Sequence, residues 1–352
     1  MVATRRSTAR VQRCLVTGGA GFLGRHLAER LLSAGGWQVT VFDVRDPGEP
    51  RVAAIIGDLR NRAQVEAASQ GMDVVFHCAT AAPAAANTAN RRLMHDVNVL
   101  GTRHLLDACA AAGVPRLVYT SSASVVFDGR DLVDVDETAP YARKPIDYYT
   151  ETKVLGERMV LAANRAGGLA TVALRPSGIF GERDPLLVPL TVAKARQGKM
   201  KYVIGSGANL MDFTYVGNVA QAHVLAAEAL ARDSKVAGRA YFITNAEPRP
   251  FWTFLGDFLE PLGYERPSRR LPWQLVFTLA VIFEWVVWLL RPFRVIQPSE
   301  FTPMRIRIAK ATRRLSCARA RAELGYEPEV SLDEGLSRTV TAFSHLRAEK
   351  AA

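Results

Sequence analysis

The stretch RCLVTGGAGFLGRHLAERLLSAGG, residues 13–36, decides the fold class. A short apolar β pattern precedes a cluster of glycines, and a helical pattern follows it. The glycines are Gly18, Gly19, Gly21 and Gly24. Their spacing fits both G-x-G-x-x-G and G-x-x-G-x-x-G, which permit a tight turn and let the backbone approach a pyrophosphate at the helix N-terminus. Glycine-rich turns are common, so the surrounding sequence must support the interpretation as a phosphate site.

A second β pattern, WQVTVFDV, contains Asp43, 19 residues after Gly24. A carboxylate at this distance can hydrogen-bond both ribose hydroxyls of a dinucleotide, and it repels a 2′-phosphate. We therefore expect NAD as the cofactor. Arg45 lies close by and keeps NADP as the less favoured alternative, because an arginine can accommodate the extra phosphate.

Strand and helix patterns then alternate along the chain. The segments are AAIIGD (53–58), DVVFHCAT (73–80), VNVLGTRHLLDACAAAG (97–113), RLVYTSSASVV (116–126) and TVALRPSGIFG (171–181). This alternation predicts an α/β fold with a Rossmann-type, doubly wound parallel sheet, whose ligands lie beyond the carboxyl ends of the strands. Residues 81–90 are expected to form a loop over that edge.

Polar residues that can act on a substrate follow in order. Ser121 and Ser122 lie at the end of a predicted strand, where a hydroxyl can hold a substrate oxygen or simply bond its own turn. In PIDYYTETK, Tyr149 and Lys153 are four residues apart and share one helix face, whereas Tyr148 does not face the lysine. A phenol has a pKa of about 10, and a neighbouring ammonium is expected to lower it toward a useful acid–base range.

The charge of +11 is concentrated near the C-terminus. Residues 264–321 carry twelve basic and three acidic side chains, a net charge of +9. Inside this block, 271–290 is apolar with a single charge and is long enough to cross a bilayer. Its less apolar side chains fall within an arc of roughly 120° at 100° per residue; they are Gln274, Thr278, Glu284, Trp285 and Trp288.

This pattern is typical of a helix that lies in the membrane surface. A full span and a buried helix that closes an apolar pocket are the alternatives, and nucleic acid is not expected as a partner. Residues 1–12 are expected to form a flexible basic tail without a secretory signal. The four cysteines lie far apart without metal-ligand spacing, so we expect reduced thiols and no metal.

Several motifs together resemble the extended short-chain dehydrogenase/reductases over roughly residues 13–345. They are TGGAGFLG, GDLR, VNVLGT, YTSSAS, YYTETK, LRPSGIFG and DFTYVGNVA. SSASVVFDG, KPIDYYTETK, NAEPRPFWTFL and FTPMR are similar to the 3β-hydroxysteroid dehydrogenase branch of that family. Asn218 is a departure, because the family often has an acid there, and we expect it to affect a structural contact more than the chemistry.

The resemblance implies roles for individual residues. Tyr149 is the general acid–base, Ser122 polarises the substrate oxygen, Lys153 lowers the pKa of the tyrosine, and Asn98 completes a proton relay. Asp58 lies by the adenine, and Pro176 to Ile179 lie by the nicotinamide. The full predicted cofactor set is Gly18, Gly21, Phe22, Leu23, Gly24, Asp43, Asp58, Leu59, Ala79, Tyr149, Lys153, Pro176 and Ile179.

The resemblance also implies a substrate and a setting. It is strongest to the members that oxidise the 3β-hydroxyl of a 4α-carboxysterol and release the carboxylate as CO2, with Arg143 and Lys144 as candidates to pair with that carboxylate. We expect a membrane-associated protein facing the cytosol, at the endoplasmic reticulum in a eukaryote or the cytoplasmic membrane in a bacterium. A homodimer and contacts with other enzymes of sterol C4 demethylation are further expectations.

Three other functions stay open. They are a dehydrogenase/isomerase acting on steroids without a carboxylate, a nucleotide-sugar epimerase or dehydratase, and a non-catalytic NAD-sensing protein. The apolar 271–290 stretch disfavours the sugar enzyme, and the complete serine–tyrosine–lysine set disfavours the sensor. The predicted domains are a Rossmann domain at 13–180 with 209–245 returning to it, and a smaller substrate lobe at 181–208 and 246–352.

Overall fold

The computed structural model describes residues 10–81, 90–165, 168–290 and 301–348. Most of the predicted basic tail, most of the predicted 81–90 loop, and the arginines that follow the apolar stretch, Arg291 and Arg294, lie outside these residues.

The central sheet contains seven parallel strands. They are β1 (Gln12–Thr17), β2 (Trp37–Asp43), β3 (Ala53–Ile56), β4 (Val74–His77), β5 (Arg116–Thr120), β7 (Ala170–Pro176) and β12 (Arg239–Ile243). Their order is β12-β7-β5-β4-β1-β2-β3. The strand order reverses between β1 and β4, which is where a doubly wound sheet opens a crevice for a ligand. The predicted fold class is confirmed.

Helices lie on both faces of this sheet and in the region beyond its carboxyl edge. They are α1 (Phe22–Ala34), α2 (Arg62–Ser69), α3 (Arg91–His95), α4 (Gly101–Ala111), α5 (Tyr148–Ala162), α6 (Leu187–Arg196), α7 (Val216–Arg232), α8 (Phe251–Leu259), α9 (Trp273–Leu290), α10 (Pro303–Lys310), α11 (Ala318–Leu324) and α12 (Leu332–Ala342). Alternate residues of each strand point to opposite faces, so Val16 packs with α1 and α7 while Leu15 packs with α2 and α4.

Shorter strands build the region beyond the carboxyl edge. Strands β13 (Arg249–Pro250), β10 (Leu210–Met211), β15 (Arg313–Leu315) and β6 (Leu132–Val135) form a second sheet in that order. Two further pairs are β8 (Ile179–Phe180) with β11 (Thr214–Tyr215), and β9 (Tyr202–Ile204) with β14 (Arg269–Leu271). An aromatic core supports them, with the Phe213 and Phe254 rings stacked 3.6 Å apart. The domain limits drawn from the sequence remain a prediction.

Asn218 ties α7 to the C-terminal segment. Its side chain is fully buried and donates to the Val330 carbonyl oxygen at 2.7 Å and to Asn245 Oδ1 at 3.0 Å. Its Oδ1 accepts from the Val330 amide. An amide satisfies all three contacts because it both donates and accepts, whereas a carboxylate only accepts.

Helix α9 presents most of its surface to the outside. Only Val276 and Ala280 are buried, and they pack against Ile306 of α10. Large apolar side chains remain exposed; they include Leu275, Leu279, Ile282, Trp285, Trp288 and Leu289. The alternative of a helix buried within the fold is therefore wrong. By length and hydropathy, α9 is also the one helix among the described residues that is able to cross a membrane.

Candidate active site

The turn between β1 and α1 needs its glycines for space. A Cβ on Gly18 would lie 2.6 Å from the Ala79 backbone, and Gly18 has a φ of 72°. A Cβ on Gly19 would lie 2.5 Å from the Val41 side chain, and one on Gly24 would overlap the Gly18 carbonyl oxygen. These glycines therefore allow the close packing of β1, the turn and α1 that a phosphate site at a helix N-terminus requires.

Asp43 closes the end of β2 beside this turn. Its Oδ2 accepts a hydrogen bond from the Ala20 amide at 3.1 Å, and its Oδ1 accepts from the Arg45 amide at 3.1 Å. The carboxylate side chain is only 8% exposed, whereas the Arg45 side chain is 70% exposed. Two backbone amides thus hold the acid at the cavity, and the exposed Arg45 guanidinium lies beside it, 4.0 Å from Asp43 and 3.5 Å from the Ala20 carbonyl oxygen.

A second acid marks the far end of the cavity. Asp58 receives a two-pronged contact from the guanidinium of Arg60, which lowers the pKa of the carboxyl. The adjacent Leu59 is buried and packs against Gly101 of α4. This apolar and acidic corner suits a purine ring, whose edge offers N–H donors.

One cavity of about 730 Å³ joins these features at the switch point of the sheet. Its wall contains every residue of the predicted cofactor set together with Ser122; these are Gly18, Gly21, Phe22, Leu23, Gly24, Asp43, Asp58, Leu59, Ala79, Ser122, Tyr149, Lys153, Pro176 and Ile179. Among the predicted catalytic and cofactor-binding residues, Asn98 alone is not in the wall. A cavity of this size and shape, with a glycine cradle at its centre, fits a dinucleotide.

Helix α5 carries the tyrosine and the lysine into the cavity. Asp147 caps the helix by accepting from the Thr150 amide at 2.7 Å, which fixes the first turn. The Lys153 ammonium donates to the Thr120 carbonyl oxygen at 2.9 Å and lies 5.9 Å from the centroid of the Tyr149 ring. Tyr148 instead lies outside the wall, under the Arg91 guanidinium at 4.3 Å.

Burial dominates the acid–base properties of this pair. It lowers the pKa of Lys153 to about 8. It also raises the pKa of Tyr149, and Asp147 raises it further. The pKa of Tyr149 is therefore raised in the folded chain, with desolvation of the phenolate as the largest cause, and the expected lowering by Lys153 stays a prediction.

The two serines have different surroundings. The Ser121 hydroxyl donates its hydrogen bond to the buried carboxylate of Glu157, so it has no hydrogen left to donate to a substrate oxygen. Among the described residues, the Ser122 hydroxyl forms hydrogen bonds only with Ser124, at 2.9 Å to its Oγ and 3.2 Å to its amide, and Ser122 lies in the cavity wall. Of the two, Ser122 is the one available to a substrate oxygen.

Asn98 lies behind the cavity, in the π-helical turn Asp96–Leu100. Its Oδ1 accepts from the Ala81 amide at 2.7 Å, and its Nδ2 donates to Thr152 Oγ1 at 3.0 Å. No hydrogen bond joins its side chain to Lys153 in the structure over the described residues. Asn98 therefore links the segment after β4 to α5, and its part in a proton relay stays a prediction.

The sequence reasoning missed a buried ion pair beside the serines. Glu157 and Arg175 are 0% and 5% exposed, and their closest atoms lie 2.6 Å apart. Tyr141 also donates to Glu157, at 2.7 Å. Glu157 lies four residues after Lys153, so the helical spacing that selected Tyr149 and Lys153 could have pointed to it.

Asp184 was missed as well. It is 4% exposed, and it lies in the cavity wall next to Pro185 and Leu186. Its Oδ1 accepts from the Leu186 and Leu187 amides, while its buried Oδ2 has no hydrogen-bond partner. Burial raises the pKa of this carboxyl. No sequence pattern pointed to it.

The basic residues proposed for a substrate carboxylate are exposed. Arg143 and Lys144 lie in the loop before α5 and are not part of the cavity wall. The four cysteines, all within the described part of the chain, are free, and burial raises the pKa of Cys14 to about 12. Among the described residues, no group of three histidine, cysteine or acidic side chains is placed to hold a metal ion.

One cavity at the edge of a parallel sheet thus brings together a glycine cradle, an acid after the second strand, and a serine, a tyrosine and a lysine. This arrangement is that of a dinucleotide-dependent oxidoreductase of the short-chain dehydrogenase/reductase class. The family model described as the 3-beta hydroxysteroid dehydrogenase/isomerase family matches residues 15–273. The chain belongs to this family, and the resemblance predicted from its motifs is confirmed.

Similar proteins refine this placement. The chain is 47% identical to a Mus musculus protein named "Sterol-4-alpha-carboxylate 3-dehydrogenase, decarboxylating", over 97% of this chain and 94% of the relative. It is 45% identical to an Arabidopsis thaliana "3beta-hydroxysteroid-dehydrogenase/decarboxylase isoform 1", over 96% of this chain and 80% of the relative. Among solved structures, a Thermus thermophilus UDP-glucose 4-epimerase in complex with NAD shares the fold, with a TM-score of 0.71, 26% identity, and coverage of 94% and 98%.

Proposed function

We propose that this chain oxidises the 3β-hydroxyl of a 4α-carboxysterol to the 3-ketone and that the C4 carboxylate leaves as CO2. The observation that carries the proposal is the cavity wall that brings Tyr149, Lys153 and Ser122 together at the end of a dinucleotide cradle. The similarity of almost the whole chain to decarboxylating sterol dehydrogenases supports the substrate class.

Three side chains, those of Ser122, Tyr149 and Lys153, have separate roles in the oxidation of the C3 hydroxyl. Ser122 donates a hydrogen bond to the C3 oxygen and orients it, and Tyr149 accepts the proton of that hydroxyl. Lys153, fixed by the Thr120 carbonyl oxygen, holds a positive charge 5.9 Å from the centroid of the Tyr149 ring and stabilises the phenolate. NAD, when bound in the cavity, supplies the acceptor for the hydride that leaves C3.

Loss of the carboxylate follows from the product of oxidation. A ketone at C3 makes the C4 substituent a β-keto acid, so the C4–carboxylate bond can break with its electron pair entering an enolate. Ser122 can donate to the enolate oxygen, and a proton returned to C4 completes the ketone. The second step therefore needs the same hydroxyl that orients the alcohol.

Asp43, at the end of β2, favours NAD over NADP as the cofactor. The Asp43 carboxylate is anchored by two backbone amides and is largely shielded, so a 2′-phosphate would have to approach a fixed negative charge. Arg45 Nε lies 4.0 Å from this carboxylate, but the Arg45 side chain is 70% exposed, so solvent screens its charge and it offsets the carboxylate only weakly.

The membrane surface is the proposed location. The exposed apolar side chains of α9 and the basic residues around it, among them Arg269, Arg270 and Arg307, suit an interface between acyl chains and anionic headgroups. We place the chain on the cytosolic side of the membrane, so that an apolar substrate can enter it from the bilayer. A homodimer and contacts with other sterol-demethylating enzymes remain predictions from the resemblance.

The membrane proposal is tested with vesicles. Changing Trp285 and Leu289 to serine removes two exposed apolar side chains of α9, and sedimentation with vesicles of neutral and anionic lipid should fall at least several-fold. Val133→Ser is the matched control, because Val133 is also exposed but lies on β6, away from α9. Equal sedimentation of all three proteins would contradict the surface role, and protease protection of both ends of α9 would indicate a span.

The catalytic proposal is tested by comparing two substrates. We expect NAD-dependent formation of the 3-ketone from a 4α-carboxysterol with a kcat/KM well above that for the same sterol without the carboxylate. The reverse preference would favour a dehydrogenase that acts on plain steroids. Turnover of a nucleotide sugar would favour the epimerase alternative.

A further inference from the structure

Arg313 on β15 has a guanidinium without an acidic partner. Its Nη2 lies 2.9 Å from the Met211 sulfur, and its Cζ lies 5.3 Å from the centroid of the Phe127 ring. Its Nε is buried and makes no hydrogen bond. Over the part of the chain that the structure describes, no carboxylate pairs with it. Burial lowers the pKa of Arg313 to about 10, so the side chain remains a cation at neutral pH.

The two arginines that are buried in the described part of the chain have protein partners. Arg175 forms the ion pair with Glu157, and Arg116 donates to the carbonyl oxygens of Asp73 and Ala227. Arg313 is half-buried, and its buried Nε has lost hydration without gaining such a partner, which costs free energy. The contrast leaves the Arg313 guanidinium available to an anion that is not part of the chain.

The position of Arg313 links it to the active-site cavity. It pairs with Met211 across the strand register, so the two side chains lie on the same face. The methyl group of Met211 reaches Gly178 so closely that a Cβ there would lie 2.8 Å away, and Gly178 is in the cavity wall. Phe127 directly follows the short turn that begins at Ser122.

The guanidinium thus lies one side chain, that of Met211, behind the cavity-wall residue Gly178. Gly178 stands between Pro176 and Ile179 in the same wall. Met211 is a flexible, unbranched side chain, so it can move aside for a ligand without a change in the backbone.

We propose that Arg313 binds the C4 carboxylate of the substrate and thereby selects 4α-carboxysterols. This inference rests on the proposed function. A guanidinium offers a planar fork of donors that matches a carboxylate, and the apolar surroundings of Phe127 and Met211 strengthen the contact. Arg313 replaces Arg143 and Lys144 in this role. Those two are exposed in the loop before α5, whereas Arg313 is half-buried and contacts Met211, which packs against the cavity-wall residue Gly178.

Kinetic selectivity tests the assignment. The measured quantity is the ratio of kcat/KM for a 4α-carboxysterol to kcat/KM for the same sterol without the carboxylate. We expect Arg313→Met to lower this ratio about 30-fold, since one partner of an enclosed charge pair is lost. Arg313→Lys should recover part of it, because the charge remains while the fork is lost.

Arg314→Gln is the matched control. Arg314 is the next residue on the same strand, and its guanidinium pairs with Asp134 at the surface. Its loss should leave the selectivity ratio within about twofold of the wild type. An equal fall for Arg314→Gln would show that the ratio reports disturbance of β15 rather than binding of the carboxylate, and it would overturn the assignment.

Binding without turnover gives a second readout. In the absence of NAD, the carboxysterol should raise the Tm of the wild type more than that of Arg313→Met, while the unliganded variant should melt at or above the wild type because an uncompensated cation is gone. An unchanged selectivity ratio in an active Arg313→Met enzyme would overturn the assignment alone. A wild type that does not oxidise the carboxysterol at all would overturn the proposed function, and the assignment with it.

Discussion

Replacing Glu157 by glutamine would test the ion pair that supports the reacting end of the cavity. The carboxylate is fully buried, its oxygen lies 2.6 Å from the Arg175 guanidinium, and it also accepts from Ser121 and Tyr141. Glutamine has nearly the same shape but no charge. Its amide group would also present N–H donors where Arg175, Ser121 and Tyr141 all need an acceptor.

The expected loss of stability follows from this environment. Removing one partner of a buried pair costs about 3–5 kcal/mol, because the remaining charge is left without compensation. Tyr141→Phe removes one hydrogen bond to the carboxylate and keeps both charges, so its cost should be about 2 kcal/mol. The pair Glu157→Leu and Arg175→Met removes both charges and should be more stable than Glu157→Gln alone by about 2 kcal/mol or more.

Equilibrium unfolding in urea, followed by fluorescence and circular dichroism, measures these differences. If Glu157→Gln unfolds within about 1 kcal/mol of the wild type, the pair does not hold α5 to the ends of β5 and β7, and the reasoning fails. The reasoning would also fail if the double variant were less stable than Glu157→Gln. The loss of stability would then come from lost packing rather than from an unpaired charge.

Three further predictions concern the chemistry, the cofactor and the pH. Tyr149→Phe should lower kcat for sterol oxidation by at least about 100-fold, whereas Tyr148→Phe should retain most activity; steady-state assays check both, and the opposite outcome would reassign the base. Asp43→Ser should lower the ratio of kcat/KM for NAD over NADP about 10-fold or more, and an unchanged ratio would contradict the role of this acid. Burial raises the pKa of Asp212 to about 6, so the folded protein holds this proton more tightly than the unfolded chain and loses stability as pH rises from about 4 to 6. Relative to Asp212→Asn, whose amide oxygen can still accept from Leu315, the wild type should lose about 2–3 kcal/mol across that window in urea titrations, and a flat difference would contradict the assignment.

Local sequence patterns were sufficient to predict the Rossmann-type fold and the placement of two site residues. The glycine cluster predicts the turn between β1 and α1 because steric limits at Gly18 and Gly24 are set within a few residues. The four-residue spacing of Tyr149 and Lys153 is also a local signal, because residues four apart lie on the same face of a helix. Both side chains line the same cavity.

Other features depend on contacts between distant segments. Arg313 meets Met211 only because β15 pairs with β10 across about a hundred residues, and no local pattern announces that pairing. The rise in the Tyr149 pKa also escaped the sequence, because burial is its largest cause and is a property of the packed protein. Helix α9 illustrates an intermediate case, since its apolar length was evident while its exposure required the structure.

The measurement that tests the central claim most directly is the yield of two products from one incubation. The wild-type protein is mixed with NAD and a 4α-carboxysterol that carries an isotopic label in its carboxyl group, and NADH and labelled CO2 are counted together. We predict equal amounts of the two products and neither product from Tyr149→Phe. NADH without labelled CO2, or no NADH from the wild type, would contradict oxidation at C3 coupled to loss of the C4 carboxylate.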